Sequence, residues 1–184
     1  ADLTEAMGRT PRVRQLATNP LMLTIIVLVH RSGAELPNER IKLYDRCTEA
    51  LLFSWQRDRG RPQLRDIRDK LISDTEVRRR LEELANWMHS NAPSSQGQLH
   101  VRAERLCQKM AEQIAKRTET DQDEAEEEAK HFLDYIRKNT GVLLERGTDL
   151  YGFIHLTFQE YFTAWDIYRR SRGNSEKAWE QISP

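Results

Sequence analysis

The sequence has few of the residues that build disulfide-bonded, zinc-binding or loop-dominated proteins. It contains two cysteines, eight glycines and six prolines in 184 residues. Cys47 and Cys107 lie far apart in helical patterns, so we expect no disulfide framework and favour a reducing compartment. Metal-ligand spacings such as CxxC are absent, which argues against a zinc site.

An excess of charge of one sign is also missing. Lys plus Arg and Asp plus Glu both number 29, so no global field attracts the chain to nucleic acid or to an anionic membrane. The longest apolar stretch, Leu21 to Val29, is shorter than the roughly 20 residues needed to cross a bilayer. The first residues do not form a basic-then-apolar signal peptide. We therefore expect a cytoplasmic protein with no membrane span.

Motifs of catalysis are absent as well. The glycines Gly147 and Gly152 have the spacing of a P-loop, but Phe153 and Ile154 stand where that loop needs Lys and Ser or Thr. Neither G-x-S-x-G nor H-E-x-x-H occurs. The carboxylates are expected on exposed helix faces. We conclude that this chain is not an enzyme by itself.

What the sequence does have is helical periodicity over most of its length. Asn19-Pro20 opens a helix that is apolar on nearly all sides, which predicts a buried central helix. Ser73 and Glu76 form a capping box before the next amphipathic pattern. Residues 61–73 suggest a short helix, and the acidic run 118–128 is interpreted as the solvated start of another.

Near the end of the chain the period changes from helical to extended. Residues 142–146 and 150–154 predict two strands of a hairpin around a turn at 147–149. A capping box at Thr157 and Glu160 then opens a helix. That helix has one aromatic face, formed by Phe158, Tyr161, Phe162, Trp165 and Tyr168.

This order of elements predicts a mainly α fold: a helical domain followed by a winged-helix domain with one β-hairpin wing. The predicted limits are 1–60 for the helical domain, 61–172 for the winged helix and 173–184 for the start of a following helical segment.

His155 is the candidate site residue that the pattern itself indicates. It stands just before a predicted helix N-terminus, where free N–H groups and the helix dipole favour an anion such as phosphate. The alternative is a structural role, because a histidine beside an apolar strand is often held by neighbouring groups.

Three segments resemble one family in the same order. They are Leu16 to Thr24 with its Asn19-Pro20 turn, Gly33 to Pro37 followed by Ile41 to Tyr44, and the stretch Phe153-Ile154-His155-Leu156-Thr157-Phe158-Gln159-Glu160-Tyr161-Phe162. Together they are similar to the first helical domain and the winged helix of NACHT-type STAND NTPases. This family of signalling ATPases includes the NOD-like receptors and bacterial relatives.

The resemblance implies a regulatory fragment of such an ATPase. In the family an upstream nucleotide-binding domain, a P-loop ATPase, holds ADP or ATP, so no cofactor is expected on this chain alone. The resemblance implies that Pro20 packs near the adenine and that His155 bonds the β-phosphate of ADP. Exchange for ATP would then open the molecule and permit self-oligomerisation in innate immune or anti-phage signalling.

Two alternatives remain open at this point. The first is a nucleic-acid-binding winged helix, suggested by the predicted wing and by the stretch Arg57 to Arg80, which holds nine Lys or Arg and five Asp or Glu. The mixed signs and the lack of aromatic residues within that stretch count against nucleic acid as a partner. The second is a plain scaffold, whose contacts would not depend on nucleotide.

Overall fold

Most of the described chain is α-helical, and its strands form one small antiparallel sheet, which confirms the predicted fold class. A computed structural model describes residues 14–15, 17–31, 37, 39–54, 60, 63–92, 100–172 and 174–180. The chain divides into two compact units, Ala1–Gly60 and Arg61–Pro184. The functional limits of the domains stay a prediction.

The first unit contains helix α1 (Pro20–Arg31). Asn19 caps it, because its Oδ1 accepts the N–H of Met22 at 3.2 Å. The prediction that this helix is buried all round is wrong. Met22, Ile26 and Val29 form one buried face, whereas Leu23 on another face is 38% exposed. Helix α1 packs against α2, and among its described side chains the apolar surface is only partly covered.

Helix α2 (Arg40–Glu49) continues directly into a π-helical segment, Ala50–Ser54. Its buried apolar residues keep helical spacing through both parts and are Leu43, Tyr44, Cys47, Leu51 and Leu52. Asn38 and the segment Gly33 to Leu36 lie outside the described residues.

The described part of the second unit begins with a turn where the sequence suggested a short helix, so that prediction is wrong. Residues Arg65 and Leu71 form an isolated antiparallel bridge. The Asp66 carboxylate accepts backbone N–H groups of Arg68 and Lys70 at 3.0 and 2.7 Å. This local bonding satisfies the backbone in a turn and competes with helix formation.

Helix α3 (Asp74–Ser90) begins as predicted. The Ser73 hydroxyl accepts the Glu76 N–H at 3.2 Å. One face of the helix is fully buried and contributes Val77, Leu81, Leu84, Ala85 and Met88 to the core.

Helices α4 (Ala103–Thr118) and α5 (Gln122–Asn139) pack against each other across a short turn. Glu119 takes a left-handed conformation in that turn, with φ 54°. Asp121 caps α5 by accepting the Glu124 N–H at 2.9 Å. The acidic run therefore contains a helix start, as predicted.

The sheet has three strands in the order β1-β3-β2. Strands β2 (Leu143–Gly147) and β3 (Leu150–Phe153) are the predicted hairpin. Strand β1 (Val101–Arg102) was not predicted, because two residues are too few to display a strand period. Its Val101 pairs with Tyr151 and its Arg102 with Leu150.

Helix α6 (Leu156–Arg170) follows β3 and packs mainly on α3, and α7 (Ser175–Glu180) follows α6. Phe158 and Phe162 are fully buried, and the Phe162 ring lies 5.7 Å from that of Phe153. The aromatic stripe is thus largely core. Tyr168 at its far end is 54% exposed.

Candidate functional site

His155 lies at the junction between β3 and α6, which is where the sequence places it. Its backbone is extended, with φ −154° and ψ 149°, and it is the N-cap residue of α6. Its carbonyl accepts the N–H groups of Phe158 and Gln159 at 3.0 and 3.3 Å. The prediction that Thr157 is the N-cap is therefore wrong by two residues. The helix begins earlier, and Thr157 already lies in its first turn.

The imidazole of His155 provides the side-chain cap. Its Nδ1 accepts the Thr157 N–H at 3.2 Å and lies 3.0 Å from the Thr157 hydroxyl oxygen. In a neutral imidazole one ring nitrogen carries the hydrogen and the other accepts hydrogen bonds. Because Nδ1 is the acceptor here, Nε2 carries the hydrogen. This contact thus fixes both the tautomer and the ring orientation. The half-buried ring presents Nε2–H as a donor suited to an acceptor such as a phosphate oxygen.

The wing hairpin holds the backbone just before His155. Ile154 donates its N–H to the Val142 carbonyl at 2.8 Å. Its carbonyl accepts from Nη2 of Arg146 at 2.5 Å. Sequence reasoning missed Arg146, because nothing in its position on a predicted strand indicates that its side chain reaches the end of the hairpin.

The start of α6 differs from the other described helix starts of the second unit. Helices α3, α4, α5 and α7 each carry an acidic residue in the first turn, whereas α6 carries none. An acidic residue there would offset the positive end of the helix dipole. The N-terminus of α6 therefore keeps its positive potential, which favours an anion.

Pro20, the second predicted site residue, is the first residue of α1 and is exposed. Its ring occupies the helix position where a missing N–H costs nothing. Pro20 belongs to the first unit and His155 to the second. Their nucleotide contacts stay predictions.

Charged residues inside the second unit were also missed, because the carboxylates were all expected on solvated faces. Arg80 and Glu128 are both buried, and Nη1 of Arg80 lies 2.6 Å from Oε1 of Glu128. The other oxygen of Glu128 accepts the Ile67 N–H at 2.9 Å. Arg80 also lies 3.0 Å from Glu76. Arg80 and Glu128 are 48 residues apart in the chain, so no periodic signal in the sequence reveals that they pair.

The stretch that suggested nucleic-acid binding is also largely paired. Within its described part, the arginines bond to carboxylates: Arg65 to Asp69, Arg68 to Glu124, Arg78 to Glu82, Arg79 to Glu83 and Arg80 to Glu128. These pairs reduce the positive potential that a phosphate backbone would need.

The helix-turn-helix formed by α4 and α5 has its own charge pattern. In such motifs the second helix enters the major groove with its N-terminal residues at the bases. The corresponding part of α5 carries Asp123, Glu124, Glu126 and Glu127. Carboxylates at that place are repelled by phosphate, which argues against duplex binding through this helix.

No described helix combines the length and hydropathy required to cross a bilayer.

Comparison with known proteins agrees with this architecture. A family model described as a winged helix-turn-helix domain C-terminal to NACHT matches residues 40–167. The match begins at α2 and ends within α6. No curated protein and no solved structure matches the chain. The match covers more than half of the 184 residues, so this chain belongs to the family of winged helix-turn-helix domains that lie C-terminal to NACHT.

Proposed function

We propose that the chain is the regulatory part of a NACHT-type signalling ATPase and that His155 senses the bound nucleotide. An upstream P-loop domain of the same parent chain would hold ADP or ATP. His155 would donate its Nε2–H to the β-phosphate of ADP and keep the parent closed. The observation that carries this proposal is the Nδ1 cap, which fixes the tautomer with Nε2–H as donor at a helix start without acidic residues.

The size of the effect suits a switch. A hydrogen bond to a charged group contributes about 1.5–3 kcal/mol, which corresponds to roughly 10- to 100-fold in ADP affinity. Such a bond shifts a conformational equilibrium only if one state loses it. Exchange of ADP for ATP would therefore release the winged helix from the nucleotide domain.

The downstream steps follow from that release. The opened parent would self-associate in the cytoplasm and activate an attached effector, as in innate immune or anti-phage signalling. Pro20 at the start of α1 would pack near the adenine, and the exposed side of α1 around Leu23 fits contact with the nucleotide domain. Apolar surface of this kind is stabilised by a covering partner.

The test uses the parent chain with its nucleotide-binding domain. We compare the release rate of bound ADP in the wild type, His155→Ala and His155→Ser. Serine is a good N-cap, so His155→Ser retains the cap while removing the imidazole donor. Both variants should release ADP at least about 10-fold faster.

His131→Ala is the matched control, because His131 is an exposed histidine on α5. It should release ADP at the wild-type rate. Unchanged release in both His155 variants would contradict the latch and leave the chain as a scaffold. Faster release in His155→Ala but not in His155→Ser would assign the effect to the helix cap.

A further inference from the structure

A cationic side chain contacts the backbone directly before His155. Nη2 of Arg146 is 2.5 Å from the carbonyl oxygen of Ile154, the residue directly before His155. We propose that Arg146 is a second phosphate-binding residue, whose guanidinium acts with His155 on the terminal phosphate of a nucleoside diphosphate. This inference rests on the proposed function and adds a residue to that site.

The backbone of the wing explains how Arg146 reaches this place. In the hairpin, Glu145 pairs with Tyr151 and Gly147 pairs with Leu150, and the register shifts between them. Arg146 is therefore the extra, unpaired residue of a β-bulge. Bulges redirect side chains and are frequent beside functional sites. Here the redirected side chain extends along the hairpin to the start of α6.

The remaining hydrogen-bonding capacity of Arg146 suits phosphate. A guanidinium has five N–H donors in a planar fork that matches two phosphate oxygens. The contact with Ile154 is made to a neutral carbonyl, and the side chain is exposed. Among the described residues, no carboxylate lies within ion-pair distance of Arg146. The adjacent carboxylate, Glu145, instead accepts the Asp149 N–H at 3.2 Å.

The surrounding charges favour the same ligand. The first turn of α6 contains no acidic residue, and the nearest carboxylate on α6 is the exposed Glu160 in its second turn. The charge of Arg146 and the positive end of the helix dipole therefore both favour an anion, and the neutral His155 ring adds an N–H donor. A terminal phosphate carries about 1.5 to 2 negative charges at neutral pH. The β-phosphate of ATP is a bridging group and carries only one negative charge. Arg146 and His155 should therefore bind ADP more tightly than ATP.

The experiment measures ADP and AMP binding to the parent chain and the ADP release rate. Arg146→Gln should release ADP about 10-fold faster, since it loses a charge-assisted contact. Arg146→Lys keeps the charge but not the fork and should fall between the wild type and Arg146→Gln. AMP has no β-phosphate, so its affinity should stay the same in every variant.

Arg102→Gln is the matched control, because it removes another exposed arginine of the same sheet. It should leave ADP release unchanged. Wild-type ADP release in Arg146→Gln, alongside faster release in His155→Ala, would overturn this inference and retain the proposed function. Equal losses of ADP and AMP affinity would also overturn it, because Arg146 would then only support the backbone. Wild-type release in both Arg146→Gln and His155→Ala would overturn the proposed function itself.

Discussion

The two ends of α6 use charged and polar groups in opposite ways. At the C-terminal end, the fully buried Asp166 carboxylate lies 2.7 Å from Nδ2 of Asn86, 2.6 Å from Nη2 of Arg169 and 2.6 Å from Nε of Arg170. At the N-terminal end, Nδ1 of His155 accepts the Thr157 N–H at 3.2 Å, and Nη2 of Arg146 donates to the Ile154 carbonyl at 2.5 Å. The first set of contacts joins a buried carboxylate to two arginines and an amide, whereas the second set joins side chains to the backbone.

Under the proposed function, contacts that stabilise the fold and contacts that respond to nucleotide lie at different ends of one helix. Arg169 also reaches Glu82 and Glu83 on α3 at 3.2 and 3.5 Å, so the C-terminal end joins two helices of the core. Changes at that end should therefore affect unfolding. Changes at the other end should affect nucleotide binding more than unfolding.

The largest effect is expected from Asp166→Ala. This variant leaves Asn86 and two arginines without their shared buried acceptor. Breaking one side of a buried ion pair costs about 3–5 kcal/mol, and since Arg169 and Arg170 are partly exposed we expect about 3 kcal/mol. Urea unfolding of this chain, followed by circular dichroism, measures the change.

Glu160→Ala is the control on the same helix, because Glu160 is exposed. It should change the free energy of unfolding by less than about 0.5 kcal/mol. If Asp166→Ala lowers the free energy of unfolding no more than Glu160→Ala does, the C-terminal end of α6 does not stabilise the fold as proposed.

A smaller effect on stability is expected at the other end. His155→Ala deletes the N-cap contact of α6 and should lower the free energy of unfolding by about 1 kcal/mol. His155→Ser should stay within about 0.5 kcal/mol of the wild type, because serine caps equally well or better. The same urea titration tests both variants. If His155→Ser lowers the free energy of unfolding by about 3 kcal/mol, the N-terminal end of α6 stabilises the fold as much as the C-terminal end, and the contrast between the two ends is wrong.

The smallest expected effect is the change of stability with pH that Glu82 causes, and the test is whether stability falls or rises. Burial raises the pKa of the Glu82 carboxyl, although Arg169 and Arg78 oppose the shift. A raised pKa means that the folded state binds the proton more tightly, so this contribution to stability is present at low pH. It is lost as the pH rises from the ordinary carboxyl pKa through the raised one.

Glu82→Gln cannot titrate and isolates this contribution. The stability of the wild type relative to Glu82→Gln should fall as the pH rises across that window, in urea unfolding series at several pH values. A relative stability that rises with pH would mean that Arg169 and Arg78 outweigh burial.

Local signals in the sequence were sufficient for much of the fold. The Ser73 cap and the hairpin around 147–149 depend on residues close in the chain, so turn and capping chemistry reveals them. The location of His155 between strand and helix could be predicted for the same reason. Its role as the cap could not, because Thr157 satisfies the same pattern two residues later.

Features that depend on distant partners could not be predicted. Arg80 and Glu128 have the periodic spacing of ordinary surface residues, and only the packing of α3 near α5 buries them. The turn at 63–72 contains apolar residues at helical spacing, but the Asp66 side chain provides a competing set of bonds. The bulge at Arg146 depends on the register of two strands, which hydrophobic spacing does not specify.

The acidic start of α5 has a consequence for the behaviour of the chain among other macromolecules. A helix-turn-helix with a basic second helix would associate transiently with any nucleic acid that it met, because such binding needs no sequence match. The four carboxylates at 123, 124, 126 and 127 slow these encounters by repulsion. The helix that enters the major groove in DNA-binding relatives of this architecture therefore presents a surface here that disfavours nucleic acid.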